Sequence, residues 1–327
     1  MEIVRTAAKD GSILPKALEV IRRVPEDSWT HGSQGILHPR TVYTRAFGKV
    51  AEAWGEVIPA LSTLSAQLRF HQPAPDAKHL EASYGNLLHA LYEQVDACYA
   101  VMRCLAPPPE KASVWHQAAV RAQKLPGLNA FEEQVIRGYR NISLGPSVNL
   151  LKHNESRIRL IALRSKDTFT LGYFIDGPLP GGVIGPAASV HRDTNSAFSF
   201  NRDMLLHWWW LYRTSELLAN VIELTIGDKL QAPSNGLEPS ETWVELCRNI
   251  AAIPPDFMPD EADRPYPLVI TPPTGDSIRL RFPAGRSANR LAKDAKLTAL
   301  ITIDEGGQQY KLPYVSTDEN VITVEGQ

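Results

Sequence analysis

The apolar residues of this chain first change their period near residue 155, and that change restricts the fold class. Before it they recur at helical spacing. In "DAKHLEASYGNLLHALYEQVDACYAVMRCL" (76–105) Leu80, Tyr84, Leu87, Leu88, Leu91, Val95, Cys98, Tyr99 and Met102 form one stripe, and "APPPE" ends it. "RTVYTRAFGKVAEAWGEVIPALSTLSAQL" (40–68) repeats the pattern, with Pro59 expected to kink or split the helix. Shorter helices are expected at 111–123, at 129–140, and from Ser147, as an N-cap, to His153. After the change, in "SRIRLIALRSKDTFTLGYFIDG" (156–177), Ile158, Leu160 and Ala162 alternate with their neighbours, and Phe169, Leu171 and Tyr173 do so again. A β-hairpin turning at "SKD" explains this better than one long helix.

A Gly/Pro-rich stretch follows at 176–197, expected to be a flexible or lid-like loop. The next helix starts at Asn201 as N-cap and runs to about Ile226. Trp208, Trp209 and Trp210 sweep about 200° of its circumference, so it is apolar nearly all round and central. From 253 the chain turns proline-rich and acidic. Beyond that "PLVITPP", "SIRLRFP", "KLTALITIDE", "QQYKLPYV" and "NVITVE" read as four or five short strands, with "TGD" and "EGG" as turns. The expectation is an α+β protein. A mainly helical domain, 1–255, carries the hairpin near 156–176 and the loop 176–197. A linker at 254–266 then leads to a small all-β module, 264–327, suited to protein partners or assembly.

Composition narrows the function classes. A formal net charge of −2 over 327 residues gives no global pull toward nucleic acid or membrane. Three cysteines, without zinc-ligand spacing, fit a reducing compartment. The charged N-terminus is not a signal peptide, and no stretch approaches the roughly 18 apolar residues of a membrane span. The expectation is a cytoplasmic protein without a membrane, metal or cofactor. "HRD" at His191–Asp193 lacks the other kinase elements, with Phe198 where a kinase catalytic loop has asparagine. "GGVIG" (181–185) lacks the Lys-Ser/Thr of a P-loop.

Two features remain. Between 137 and 166 stand Arg137, Arg140, Lys152, Arg157, Arg159, Arg164 and Lys166 against Glu155 alone, a candidate anion-facing strip, or else a solvated hairpin face. The second is "FNRDMLLHWWWLY" (200–212), which sets Arg202, Asp203 and His207 at the front of a greasy helix. Arg202-Asp203-x-x-x-His207 resembles the active-site motif of the HEPN superfamily, an arginine, a polar residue, then a histidine after four to six intervening positions. The resemblance covers about ten residues and implies a helical, dimeric, metal-independent ribonuclease of toxin or defence type.

Such a motif has concrete chemistry. RNA is cut without metal when a base takes the 2′-hydroxyl proton and the oxygen attacks its own phosphate, work suited to a near-neutral histidine. In this reading His207 is the acid/base, Arg202 stabilises charge on the phosphate, and Asp203, one turn before His207, fixes its tautomer. Lys152, His153, Arg157 and Arg159 line the RNA approach. The alternative is a non-enzymatic binding or scaffold protein. Its helical domain would hold a partner or small ligand beneath the 176–197 loop, with His207 packed beside the tryptophans. Burial of His207 with no groove beside it would remove the central residue of the ribonuclease.

Overall fold

A computed structural model of the chain describes residues 13–70, 77–108, 115–153, 156–164, 169–233, 237–261, 263–270, 278–285, 296–300, 309–314 and 321–323. The fold is α+β. Its helices are α1 (Lys16–Arg23), α2 (Pro39–Arg69), α3 (Ala77–Arg103), α4 (His116–Gln123), α5 (Leu128–Phe131), a π-wound segment (Glu132–Leu144), α6 (Gly145–His153), α7 (Phe200–Ile226) and α8 (Glu241–Ala251). The strands are β1 (Ile158–Arg164), β2 (Phe169–Pro178), β3 (Ile184–Pro186), β4 (Phe198–Ser199), β5 (Tyr266–Ile270), β6 (Arg279–Gly285), β7 (Lys296–Leu300), β8 (Gln309–Lys311) and β9 (Val321–Thr323).

Helix α7 is the axis of the molecule. Its N-terminal half, with Phe200, Met204, Trp208 and Tyr212, shares a core with α2, α3, α8 and one face of the hairpin. Its C-terminal half, Leu217 to Ile226, packs in a second core with α1, α3, α5 and the π-wound segment. The helix is accordingly buried nearly all round, as the three tryptophans require. Two expected boundaries shift. Ser199, not Asn201, precedes the helix, and its hydroxyl is bonded to Glu261 instead of capping. Ser147 lies inside α6 with its hydroxyl on the Ser143 carbonyl, so the path from Leu128 to His153 has no break there. Pro59 sits inside α2 without splitting it, although proline has no N–H to give the preceding turn.

The hairpin is present, β1 pairing antiparallel with β2 from Ile158↔Ile175 to Arg164↔Phe169. The expected "SKD" turn falls outside the described residues. Unlike an ordinary surface hairpin, β1 is buried along six of its seven residues, because both faces are covered. Ile158, Leu160 and Ala162 face the helices, while Ile161, Leu163 and Phe174 meet Ala197, Met258 and Leu312 on the other side. Gly172 permits the closest approach. A Cβ there would stand 2.3 Å from both the Phe198 carbonyl oxygen and Met258 Cε.

The C-terminal strands correct the expectation of a separate β module. All five short segments form strands, but β7 pairs with β1 and β8 pairs with β3, so the sheet runs β7-β1-β2-β3-β8-β9 with β4 beside β2. Only β5 and β6 form a pair of their own, and Val269, Leu280 and Phe282 of that pair pack on the α7 core. The supposed linker is packed too, with Phe257, Met258 and Glu261 all buried. Its prolines and aspartates masked an apolar plug. Nor is 176–197 simply a lid, since it contains β3, and the buried His191 accepts the Ile175 N–H through Nε2 at 2.9 Å. No described helix is long and apolar enough to cross a membrane.

Candidate functional site

Asp203 and His207 are one turn apart on α7 and point to the same side, where α3, the π-wound segment and β2 each contribute a tyrosine. His207 is 2% exposed, and both its ring nitrogens are occupied. Nδ1 lies 2.8 Å from the Tyr139 hydroxyl and Nε2 lies 3.3 Å from that of Tyr84. Tyr84 is in turn 2.8 Å from the Tyr173 hydroxyl, which donates to Asp203 Oδ2 at 2.6 Å. Tyr84 also reaches Asp203 Oδ2 at 3.3 Å.

Among the described residues no hydrogen bond joins Asp203 to His207. The tautomer-fixing role expected of Asp203 is therefore exerted, if at all, through tyrosines. Burial lowers the His207 pKa, with Asp203 opposing that and Arg202 adding to it, so the ring is neutral at pH 7. Burial, reinforced by the Asp203 charge, holds the Tyr84, Tyr139 and Tyr173 hydroxyls well above the usual phenol range. All three keep their protons.

Arg202 turns toward Glu261. The two are only loosely paired, Nη1 to Oε1 at 3.7 Å, and among the described residues neither Arg202 Nε nor Glu261 Oε1, both buried, has a hydrogen bond. The other Glu261 oxygen accepts from the Ser199 backbone N–H at 3.0 Å and from its hydroxyl at 2.5 Å. Burial, with the Asp203 charge beside it, raises the Glu261 carboxyl to about 8 despite Arg202 and the Ser199 donors. Desolvation wins there. At neutral pH the carboxyl is mostly protonated, and the Arg202 guanidinium gains little from it.

These residues face a cavity of about 390 Å³. Tyr139, Tyr173, Arg202, Asp203 and His207 form its polar wall, Phe198, Trp210 and Phe282 its aromatic wall, and Arg264 lies on its rim. Tyr139 and Trp210 stack at 5.0 Å with an 11° tilt. Winding with one extra residue per turn is what brings Tyr139 over His207, and π-wound helix is found disproportionately at functional sites. A larger cavity, about 550 Å³, lies between α2, α8 and β2. Its polar groups are serines, asparagines and Arg69, with no group poised to move a proton.

The structure thus brings Arg202, Asp203 and His207 to one cavity, although Arg202 and His207 are about 140° apart on the helix. It does not bring the expected RNA-approach residues there. Lys152 and His153 are exposed at the end of α6, and Arg157 is exposed while its backbone N–H donates to Asp176 Oδ1 at 2.6 Å. Arg159 is a correction to the basic strip. It is buried, its Nε 2.6 Å from Asp176 Oδ2 and its guanidinium over the Tyr310 ring, so it serves the sheet. Arg137 and Arg140 are likewise paired, with Glu133 and Asp96. Sequence reasoning missed Tyr84, Tyr139, Tyr173 and Glu261, which come from four separate segments.

Elsewhere Glu26, His31 and His38 place one ligand-type atom each within 4.8 Å of one another. His38 Nδ1 already accepts the Arg40 N–H as the cap of α2 and its Nε2 is 3.0 Å from Glu26, while His31 meets the His38 ring edge-on at 4.8 Å with its own Nδ1 buried and without a hydrogen bond among the described residues. Comparison of the chain with family models, with curated proteins and with solved structures finds no match.

Proposed function

We propose that the protein binds a small organic molecule in the cavity between α7, the π-wound segment and β2, and that the ligand is a weakly acidic aromatic or carbonyl compound. The observation that carries this is Arg202. Its side chain lines an aromatic-sided cavity, and its guanidinium is held only loosely by Glu261, with Nη1 3.7 Å from Oε1. A ligand oxygen in the cavity would complete the weak pairing of that guanidinium with a charge-assisted hydrogen bond, roughly twice as strong as a neutral one. The volume of about 390 Å³ lies within the ordinary range of small-molecule sites, mostly apolar with a few convergent polar groups. The three cysteines are free and buried, which supports a reducing, cytoplasmic setting.

The ribonuclease stands second, favoured by the meeting of Arg202, Asp203 and His207 at one cavity. It asks a ribose hydroxyl to reach an imidazole that is 2% exposed and bonded through both nitrogens to tyrosines. The test is thermal shift against a panel of phenols, aromatic carboxylates and β-dicarbonyl compounds, beside incubation with labelled RNA with and without EDTA. The expected result is a saturable rise in Tm with at least one compound class, lost in Arg202→Met, and intact RNA. Cleavage of RNA that disappears in His207→Ala would overturn the small-ligand reading in favour of the nuclease.

A further inference from the structure

We propose that the cavity ionises its ligand, with Tyr139 as the group that takes the proton and a chain of four hydrogen bonds through His207, Tyr84 and Tyr173 carrying the charge from Asp203. The proposal rests on the small-ligand reading above and adds a reaction to it. Its basis is the direction in which each bond must point. A carboxylate only accepts, so Tyr173 donates to Asp203 at 2.6 Å. Tyr84 has one proton, and its shortest contact is the Tyr173 oxygen at 2.8 Å, against 3.3 Å to either Asp203 or His207. With that proton committed, the Tyr84 oxygen accepts from His207 Nε2–H. The neutral imidazole then presents a bare Nδ1, which accepts from Tyr139 at 2.8 Å. Every donor in the chain points toward Asp203, and Tyr139, whose side chain lines the cavity, spends its proton on His207 and keeps its oxygen lone pairs for an acidic ligand.

Proton transfer along this chain balances without a co-reactant. The ligand's acidic proton passes to the Tyr139 oxygen as the Tyr139 proton moves to His207 Nδ1. The Nε2 proton moves to Tyr84, the Tyr84 proton to Tyr173, and the Tyr173 proton to Asp203. The net products are a ligand anion and a protonated Asp203. The intermediate phenolate and imidazolium states are disfavoured by burial, which makes concerted movement the accessible route. Arg202, which lines the cavity and is paired with Glu261 only at 3.7 Å, is the cation that receives the new anion. The other charged groups facing it are Arg264 on the rim and Glu261 behind Arg202. The chemistry suits removal of a proton from a phenol or from carbon next to a carbonyl, the first half of an isomerisation or tautomerisation.

The test uses 4-nitrophenol, whose anion absorbs differently from the acid, with 4-nitroanisole as a ligand of similar shape that cannot ionise. Wild-type protein is expected to bind both, and to lower the apparent pKa of bound 4-nitrophenol by at least one unit, about tenfold in the ionised fraction at fixed pH. In Asp203→Asn the anion signal should vanish, with folding of the variant checked by its thermal melt. Tyr139→Phe breaks the chain at its cavity end only, so it repeats the test should Asp203→Asn fail to fold. Binding of 4-nitrophenol in its neutral form, or an anion signal undiminished in these variants, would overturn the relay and leave the small-ligand reading standing. Failure of both probes to bind the wild type would overturn the two together.

Discussion

His207 is held by contacts on every side, so its removal is a stability experiment first. His207→Ala deletes the ring between Tyr84 and Tyr139 and orphans the buried Tyr139 hydroxyl, while Tyr84 keeps Tyr173. The expected loss is about 1–3 kcal/mol, read as a lower denaturant midpoint. A midpoint within error of wild type would mean the ring is not packed as described. The pH dependence of stability has two opposing parts. His191, at about 4, and His207, also lowered, give up protons on folding, so stability falls as pH drops below the ordinary histidine value near 6.5. Glu261, raised to about 8, and Glu81, raised to about 7, hold protons that the unfolded chain has released, so stability falls as pH rises toward 8. The two slopes offset each other between 4.5 and 6.5, so the expected profile is broad there and falls above 6.5. Glu261→Gln should flatten its alkaline side and make the variant the more stable protein above pH 8, checked by urea melts from pH 5 to 9. An unchanged alkaline slope would refute the raised carboxyl. Arg202, Asp203 and His207 were legible because they share one helix and one motif. Tyr84, Tyr139 and Tyr173 were not, since each sits in its own element's apolar pattern and gains its role only where the elements converge.

At the scale of elements, periodicity located nearly everything and orientation nearly nothing. The hairpin was readable from Ile158, Leu160 and Ala162, but alternation assigned its other face to solvent, whereas Ile161 and Leu163 are buried as well. A strand covered on both sides cannot leave Arg159 in water, and the arginine is tolerated there because Asp176 meets it. The consequence is testable. Arg159→Ala leaves Asp176 buried and uncompensated, at an expected cost of about 3–5 kcal/mol, while Arg159→Met with Asp176→Asn should cost far less than the two single changes added together. Additive losses in a double-mutant cycle would mean the pair is solvated. The π-wound segment was equally invisible, since "EEQVIRGYRNISL" has the composition of an ordinary helix.

The whole molecule departs most from its sequence pattern at the C-terminus. Short alternating segments after a proline-rich stretch read naturally as a module on a linker, because a local pattern shows where strands are and not which strands they join. Here β7 supplies the outer neighbour of β1, β8 the neighbour of β3, and Leu312 covers the hairpin face that the helices leave open. The β5–β6 pair adds Phe282, whose ring lies 5.0 Å from that of Trp209, and so closes one side of the ligand cavity. The described strands β5 to β8 are therefore part of the core and of the site, and a chain ending at 263 should not behave as a freed helical domain. It would expose Ile161, Leu163 and Phe174 beside an unpaired strand edge, the combination that drives edge-to-edge aggregation. The expected outcome is an insoluble or dye-binding, non-cooperatively melting fragment. For the same reason the intact chain should resist limited proteolysis within 254–261, where Phe257, Met258 and Glu261 are buried. Size-exclusion and thermal melts of the 1–263 fragment decide the matter. A soluble monomer with a cooperative transition near that of the full chain would show that the C-terminal strands are dispensable to the core, and would remove Phe282 and Arg264 from any account of the cavity.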